Sequence, residues 1–178
     1  MPLSIRSRFM AAPTFEEYLE SVEKNRDLWR GLYERARVPD DLRDAAAEMP
    51  GRWHLLALSE DWCGDAVNAL PIVARWAEEL ENFDFRVLGR DDNLDLMDTH
   101  LTNGRSRSIP IVIVYDENFE EVGWWGPRPD ELQEFVLGEG RALDSDARYR
   151  HVRRWYARDK GRTILAEILE RVSEAARP

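Results

Sequence analysis

Cys63 is the single cysteine of the chain. It stands in the stretch Ser59-Glu60-Asp61-Trp62-Cys63-Gly64-Asp65-Ala66. Before it comes an apolar run, residues 53–58, that reads as a buried strand; after it, residues 67–80 read as a helix. A sulfur at such a junction faces the first N–H groups of the helix, which point outward and carry partial positive charge. That field favours the thiolate, the nucleophilic form of cysteine. Glu60, Asp61 and Asp65 oppose it through like charge, and Arg105 and Arg107 are candidates to offset them. The sign of the sum is left to the fold.

Other chemistries find less support. His54, His100 and His151 are scattered, and none has ligand spacing with Cys63, so no zinc site is expected. No glycine-rich phosphate loop occurs. The acidic stretch Asp91-Asp92-Asn93-Leu94-Asp95 lacks the spacing and the glycine of a calcium loop. No metal and no cofactor are therefore expected.

The 178 residues suit one domain with appendages. A net charge of −10 and a pI near 4.9 argue against nucleic acid as a partner. No run is apolar enough to span a bilayer, so no membrane partner is expected. The first ten residues lack the apolar core of a signal peptide. One cysteine allows no internal disulfide and points to a reducing compartment, so the expected location is cytoplasmic.

Several elements must position Cys63. Residues 1–13 read as irregular. Thr14 and Glu17 form a capping-box pattern ahead of residues 15–36, which read as one amphipathic helix; its aromatic stripe fits core packing or a dimer face. A short helix is expected over residues 40–49. Pro71 lies inside the helix after Cys63, where it removes one N–H bond. Further on, residues 83–88 read as a strand, 94–101 as a helix, 111–115 and 120–125 as an antiparallel pair, and 130–136 as a helix. Asp144 or Ser145 caps a helix rich in arginine (Arg148, Arg150, Arg153, Arg154, Arg158) and aromatic residues; its charges are expected to pair with the acidic remainder of the surface, the alternative being a face for an acidic or nucleic-acid partner. Gly161 separates it from a last helix containing residues 164–172.

Three segments together resemble the thioredoxin superfamily. Trp62-Cys63-Gly64-Asp65 after a strand is similar to the active-site turn of a bacterial thioredoxin-like branch with a Trp-Cys-Gly-Asp-Cys motif. The segment from Gly104 through Ile109-Pro110 to Val114 resembles the loop that sets a cis-proline opposite the cysteine. Val122-Gly123-Trp124-Trp125-Gly126-Pro127-Arg128-Pro129 resembles the end of the last strand and its turn. The resemblance implies an α/β thioredoxin-like fold with a central mixed sheet flanked by helices. It also implies a division into a helical extension (residues 1–50), a thioredoxin-like domain (51–138) and a C-terminal helical extension packed on it (139–178).

The departure from the family lies at Ala66, where the motif has its second, resolving cysteine. Ala57 likewise stands where thioredoxins carry a buried acid. The resemblance therefore implies a monothiol protein, or a Cys-to-Ala variant of a dithiol oxidoreductase, with Cys63 as nucleophile and Pro110 beside it. Trp62, Gly64, Asp65, Ala66, Ile109, Gly123 and Trp124 are the expected substrate-binding residues. Ile109 would pair with an extended substrate by strand addition. Trp62, Trp124 and Trp125 would form an apolar surface around the sulfur, or Trp124 and Trp125 would be core. Expected partners are protein or small-molecule thiols and disulfides; the oligomeric state is open. Two other readings use the same frame: a non-catalytic peptide- or protein-binding module, and a redox sensor whose cysteine is oxidised or capped.

Overall fold

The computed structural model describes residues 2–178. Four strands form one mixed sheet in the order β2-β1-β3-β4. They are β1 (Trp53–Ser59), β2 (Phe83–Gly89), β3 (Ile111–Tyr115) and β4 (Glu121–Trp125). The pair β1/β2 is parallel, while β1/β3 and β3/β4 are antiparallel. Every residue of β1 and β3 is buried, as expected of central strands covered on both faces. This is the α/β arrangement expected from the sequence.

Helices cover the sheet. Ahead of β1 come α1 (Ile5–Ala11), α2 (Phe15–Ser21), α3 (Arg26–Arg35) and α4 (Asp40–Ala47). The long α5 (Gly64–Glu78) joins β1 to β2, and the short α6 (Leu94–Met97) follows β2. After β4 come α7 (Asp130–Leu137), a single 3₁₀ turn, α8 (Ser145–Asp159) and α9 (Arg162–Ala176). Buried side chains from Phe9 to Val172 form one continuous core, so the terminal helices share the hydrophobic interior of the sheet.

Local chemistry sets most of the boundaries. Thr14 and Glu17 make the reciprocal capping box that begins α2. Asp144 caps α8 by accepting the Ala147 N–H at 2.8 Å. Gly161, at φ +83°, turns the chain between α8 and α9; a Cβ there would lie 2.6 Å from the Ile72 side chain.

Three expected elements differ. Residues 5–11 form α1, where an irregular segment was expected; Ser4 caps it and Phe9 is buried. The expected helix over residues 15–36 is two helices. Val22 leaves helical geometry and Asn25 adopts a left-handed backbone at φ +57°. The break lets Trp29 turn inward, so the aromatic stripe is core: Phe15, Tyr18 and Trp29 pack together and Phe15 reaches Phe85 on β2. The helix expected over 94–101 stops at Met97. The Thr99 hydroxyl and the His100 ring both bond the Leu96 carbonyl, replacing the next helical turn.

Candidate functional site

Cys63 is the N-cap of α5, with extended backbone at φ −79° and ψ 116°. Its Sγ accepts the Ala66 N–H at 3.5 Å, a bond usually made at this position by an oxygen side chain. The thiol in turn donates to the Ile109 carbonyl at 3.4 Å. The bond between Ile109 and Pro110 is cis, as the resemblance implied. Behind Pro110 lies Gly126, where a Cβ would fall 2.2 Å from the Pro110 carbonyl oxygen, so only glycine allows the two chain segments to approach this closely.

Two opposing influences act on the sulfur. Burial is the largest and pushes the thiol above its ordinary value, and Asp65 adds to it; the Ala66 N–H and Arg128 work the other way and do not prevail. Donation to the Ile109 carbonyl fits this balance, because only the protonated sulfur can make it. Arg107, a candidate to offset the acidic neighbours, is instead bound to Asp98 at 2.7 Å; the guanidinium that lowers the Cys63 thiol is Arg128.

The acidic neighbours are themselves engaged. Glu60 accepts the Asp91 N–H at 2.9 Å. Asp61 accepts the Glu23 and Lys24 N–H groups, each at 3.0 Å, and its carbonyl receives the Trp29 indole at 3.0 Å. One residue before Glu60, the buried Ser59 hydroxyl meets the Tyr18 hydroxyl at 2.9 Å. Asp65 is held from the other side. Arg128 pairs with it at 2.9 Å, and the Tyr156 hydroxyl of α8 donates to it at 2.9 Å.

The sulfur opens onto a cleft of about 740 Å³. Of the residues expected to bind substrate, Trp62, Gly64, Asp65 and Ile109 line it with Cys63. Trp62 stands exposed beside it with the Arg90 guanidinium over its ring at 5.3 Å. Ala66 and Pro110 sit behind this surface, Ala66 fully buried. The Ile109 N–H has no hydrogen-bond partner among the described residues.

Gly123, Trp124 and Trp125 lie elsewhere. Gly123 faces the Arg171 side chain of α9, and Trp124 packs edge-on against His100. Trp125 is buried, its indole bonded to Glu167 of α9 at 2.6 Å. The apolar surface expected from three tryptophans is thus supplied at the cleft by Trp62 alone, together with Leu28, Val136, Tyr149 and Val152.

Arg128 and Tyr156 were not legible as site residues, and the α8 arginines were legible as a binding face only without a place in the fold. The Asp144 cap and the spacing of Arg148, Tyr149, Val152 and Arg153 mark one face of a helix, but nothing local says where that face docks. The expected pairing of the α8 arginines does not occur: among the described residues none of the five has a carboxylate within ion-pair distance. Among the described residues no group of three or more His, Cys, Asp or Glu is placed to hold a metal, and no helix is long and apolar enough to cross a membrane.

A β1–α5 junction with a cysteine at the helix cap, faced by a cis-proline loop on a central mixed sheet, defines a thioredoxin-like protein. The sequence profile of the family described as Thioredoxin matches residues 12–150, and the chain belongs to that family. The match begins within the N-terminal helical segment and ends inside α8. Among solved structures the chain is similar to a protein of unknown function from Pseudomonas aeruginosa, with a TM-score of 0.78 and 18% identity over 98% of this chain and 99% of that one. It is also similar to an HIV epitope-scaffold protein, with a TM-score of 0.77 and 16% identity over 97% of this chain and 99% of that one. At such identities the likeness concerns the fold. No curated protein sequence matches the chain.

Proposed function

We propose that this chain carries out thiol–disulfide exchange through one sulfur, that of Cys63, in a reducing compartment such as the cytoplasm. The observation that carries the reading is the position of Sγ at the α5 cap. It meets the Ala66 N–H and the Ile109 carbonyl at the floor of the cleft. Deprotonated Sγ attacks one sulfur of a disulfide R–S–S–R′, forming Cys63–S–S–R. The S–S bond of the substrate breaks, and R′–S⁻ leaves and takes a proton. Ala66 supplies no second thiol, so the adduct persists until an external thiol R″–SH attacks it, releasing R–S–S–R″ and restoring Cys63.

The test is incubation of the reduced protein with a neutral disulfide, hydroxyethyl disulfide, followed by intact-mass measurement. One adduct at Cys63, released by added thiol and missing in Cys63→Ser, is the expected result. No adduct over hours at mildly alkaline pH overturns the reading.

A second reading, a binding module that keeps the frame without the chemistry, is favoured by two observations. Burial pushes the thiol up, away from the reactive thiolate, and the Ile109 N–H has no partner among the described residues, as a strand-adding ligand would need. It predicts ligand binding that survives Cys63→Ser.

A further inference from the structure

The chain carries 35 acidic and 25 basic residues, yet its cleft has the reverse balance. Arg90, Arg128, Arg148 and Arg153 line it, against the single carboxylate of Asp65. That carboxylate is already bound to Arg128 and Tyr156. Arg90 pairs with Asp91 at its edge. The Arg148 side chain reaches only the Gly140 carbonyl, at 3.3 Å, and the Arg153 side chain has no hydrogen-bond partner among the described residues. Two guanidinium groups therefore stand at the cleft with no carboxylate within ion-pair distance among the described residues. An excess of one sign in a walled cleft concentrates ligands of the other sign, in spite of the net charge of the whole protein.

The remaining walls describe the rest of the ligand. Trp62 and Tyr149, 47% and 61% exposed, offer aromatic side chains, and Val136 and Val152 also line the cleft. The volume of about 740 Å³ falls within the range of small-molecule sites. At the floor is the one sulfur.

Resting on the exchange reading of the same site, we propose that the cleft selects a small anionic thiol and its disulfide. The ligand's carboxylates or phosphates sit on Arg148 and Arg153 while its sulfur reaches Cys63. The exchange is the balanced step given above, with an anionic R group. α8, which only begins within the matched family segment, is then the specificity element of the site.

The experiment compares adduct-formation rates of the full-length reduced protein with three disulfides: oxidised glutathione (carboxylates), oxidised coenzyme A (phosphates) and cationic cystamine, each relative to neutral hydroxyethyl disulfide. We expect at least one anionic disulfide to be favoured over cystamine by about tenfold or more, with the ratio of the two anions distinguishing carboxylate from phosphate. The Arg148→Glu/Arg153→Glu variant should lose that preference. Arg150→Glu/Arg154→Glu makes the same charge change on the same helix away from the cleft lining, and should keep it. Equal rates across the disulfides, or equal losses in the two variants, overturn the proposal while leaving exchange itself standing. If no disulfide reacts, exchange fails and the proposal is decided by non-covalent binding to Cys63→Ser. Calorimetry with S-methylglutathione and with coenzyme A should then show binding by one of them that the Arg148/Arg153 reversal weakens about tenfold. Absence of binding by both overturns it.

Discussion

The N-terminal and C-terminal helices both grip the Cys63 turn, but with different chemistry. On the Asp61 side, two backbone N–H groups from residues 23 and 24 and the Trp29 indole are spent on one residue, and Tyr18 closes on Ser59. That side is sealed by buried aromatic rings. On the Asp65 side, Arg128 and Tyr156 share one carboxylate, and Arg148 and Arg153 beyond them have no carboxylate within ion-pair distance among the described residues. The first grip builds the turn into the core; the second leaves a charged wall open to ligand. The acidic residues flanking Cys63, legible in the sequence as fields on the sulfur, are also the handles by which the N-terminal segment, Arg128 and α8 hold it.

Several variants sharpen or break this contrast. Trp29→Ala should cost the most stability, about 3–5 kcal/mol, because it empties a fully buried site as well as freeing the Asp61 carbonyl; urea unfolding midpoints give the value. Asp65→Ala leaves Arg128 and the buried Tyr156 hydroxyl without their carboxylate, and should cost about 2–3 kcal/mol. Tyr156→Phe removes one of those bonds and should cost about 1.5 kcal/mol. A loss from Asp65→Ala no larger than that from Tyr156→Phe would break the idea that the carboxylate anchors both partners.

The two sides should also differ in their effect on the sulfur. Asp65 raises the Cys63 thiol, and Arg128 lowers it. Asp65→Asn should therefore move the pH profile of Cys63 alkylation downward, and by more than Asp61→Asn does. In the unmodified chain the profile should lie above that of free cysteine, whose value is about 8.5. A profile below it would mean that the helix terminus outweighs burial.

A smaller effect is expected far from the cleft, at His100. Its ring bonds the Leu96 carbonyl at 2.7 Å and Glu121 at 2.9 Å. Burial opposes the charged ring, but these acceptors outweigh it and raise its pKa. A raised folded-state value means stability that is full below the unfolded value of about 6.5 and is lost as pH rises through the folded one. His100→Gln should remove that slope from unfolding midpoints measured across this window. The smallest effect is expected for the exposed pair of Arg162 and Asp41, where Arg162→Ala should leave the thermal midpoint unchanged.

Much of this architecture is legible along the chain because it rests on local rules. The buried strand before Cys63, the helix after it, the antiparallel pair β3/β4 and the caps at Thr14 and Asp144 all follow from periodicity and capping chemistry. The short α1 was missed because seven residues with one buried side chain show no periodicity, although Ser4 was a usable cap signal. Asn25, in a left-handed turn, was the signal for the broken helix. Trp124 and Trp125 stand next to each other in β4, and alternation sends their side chains to opposite faces, neither of them toward the sulfur.

The sequence by itself determined the strand–cysteine–helix junction, the lone thiol of Cys63 and the family to which the chain belongs. These are matters of residue type and short-range spacing. Only the tertiary structure decided that burial outweighs the helix terminus at the sulfur, that Asp65 answers to Arg128 and Tyr156, and that α8 turns Arg148 and Arg153 toward the cleft. Each of those depends on groups 63 to 91 positions apart from Asp65, or on how much water the fold removes, and neither is written in a local pattern.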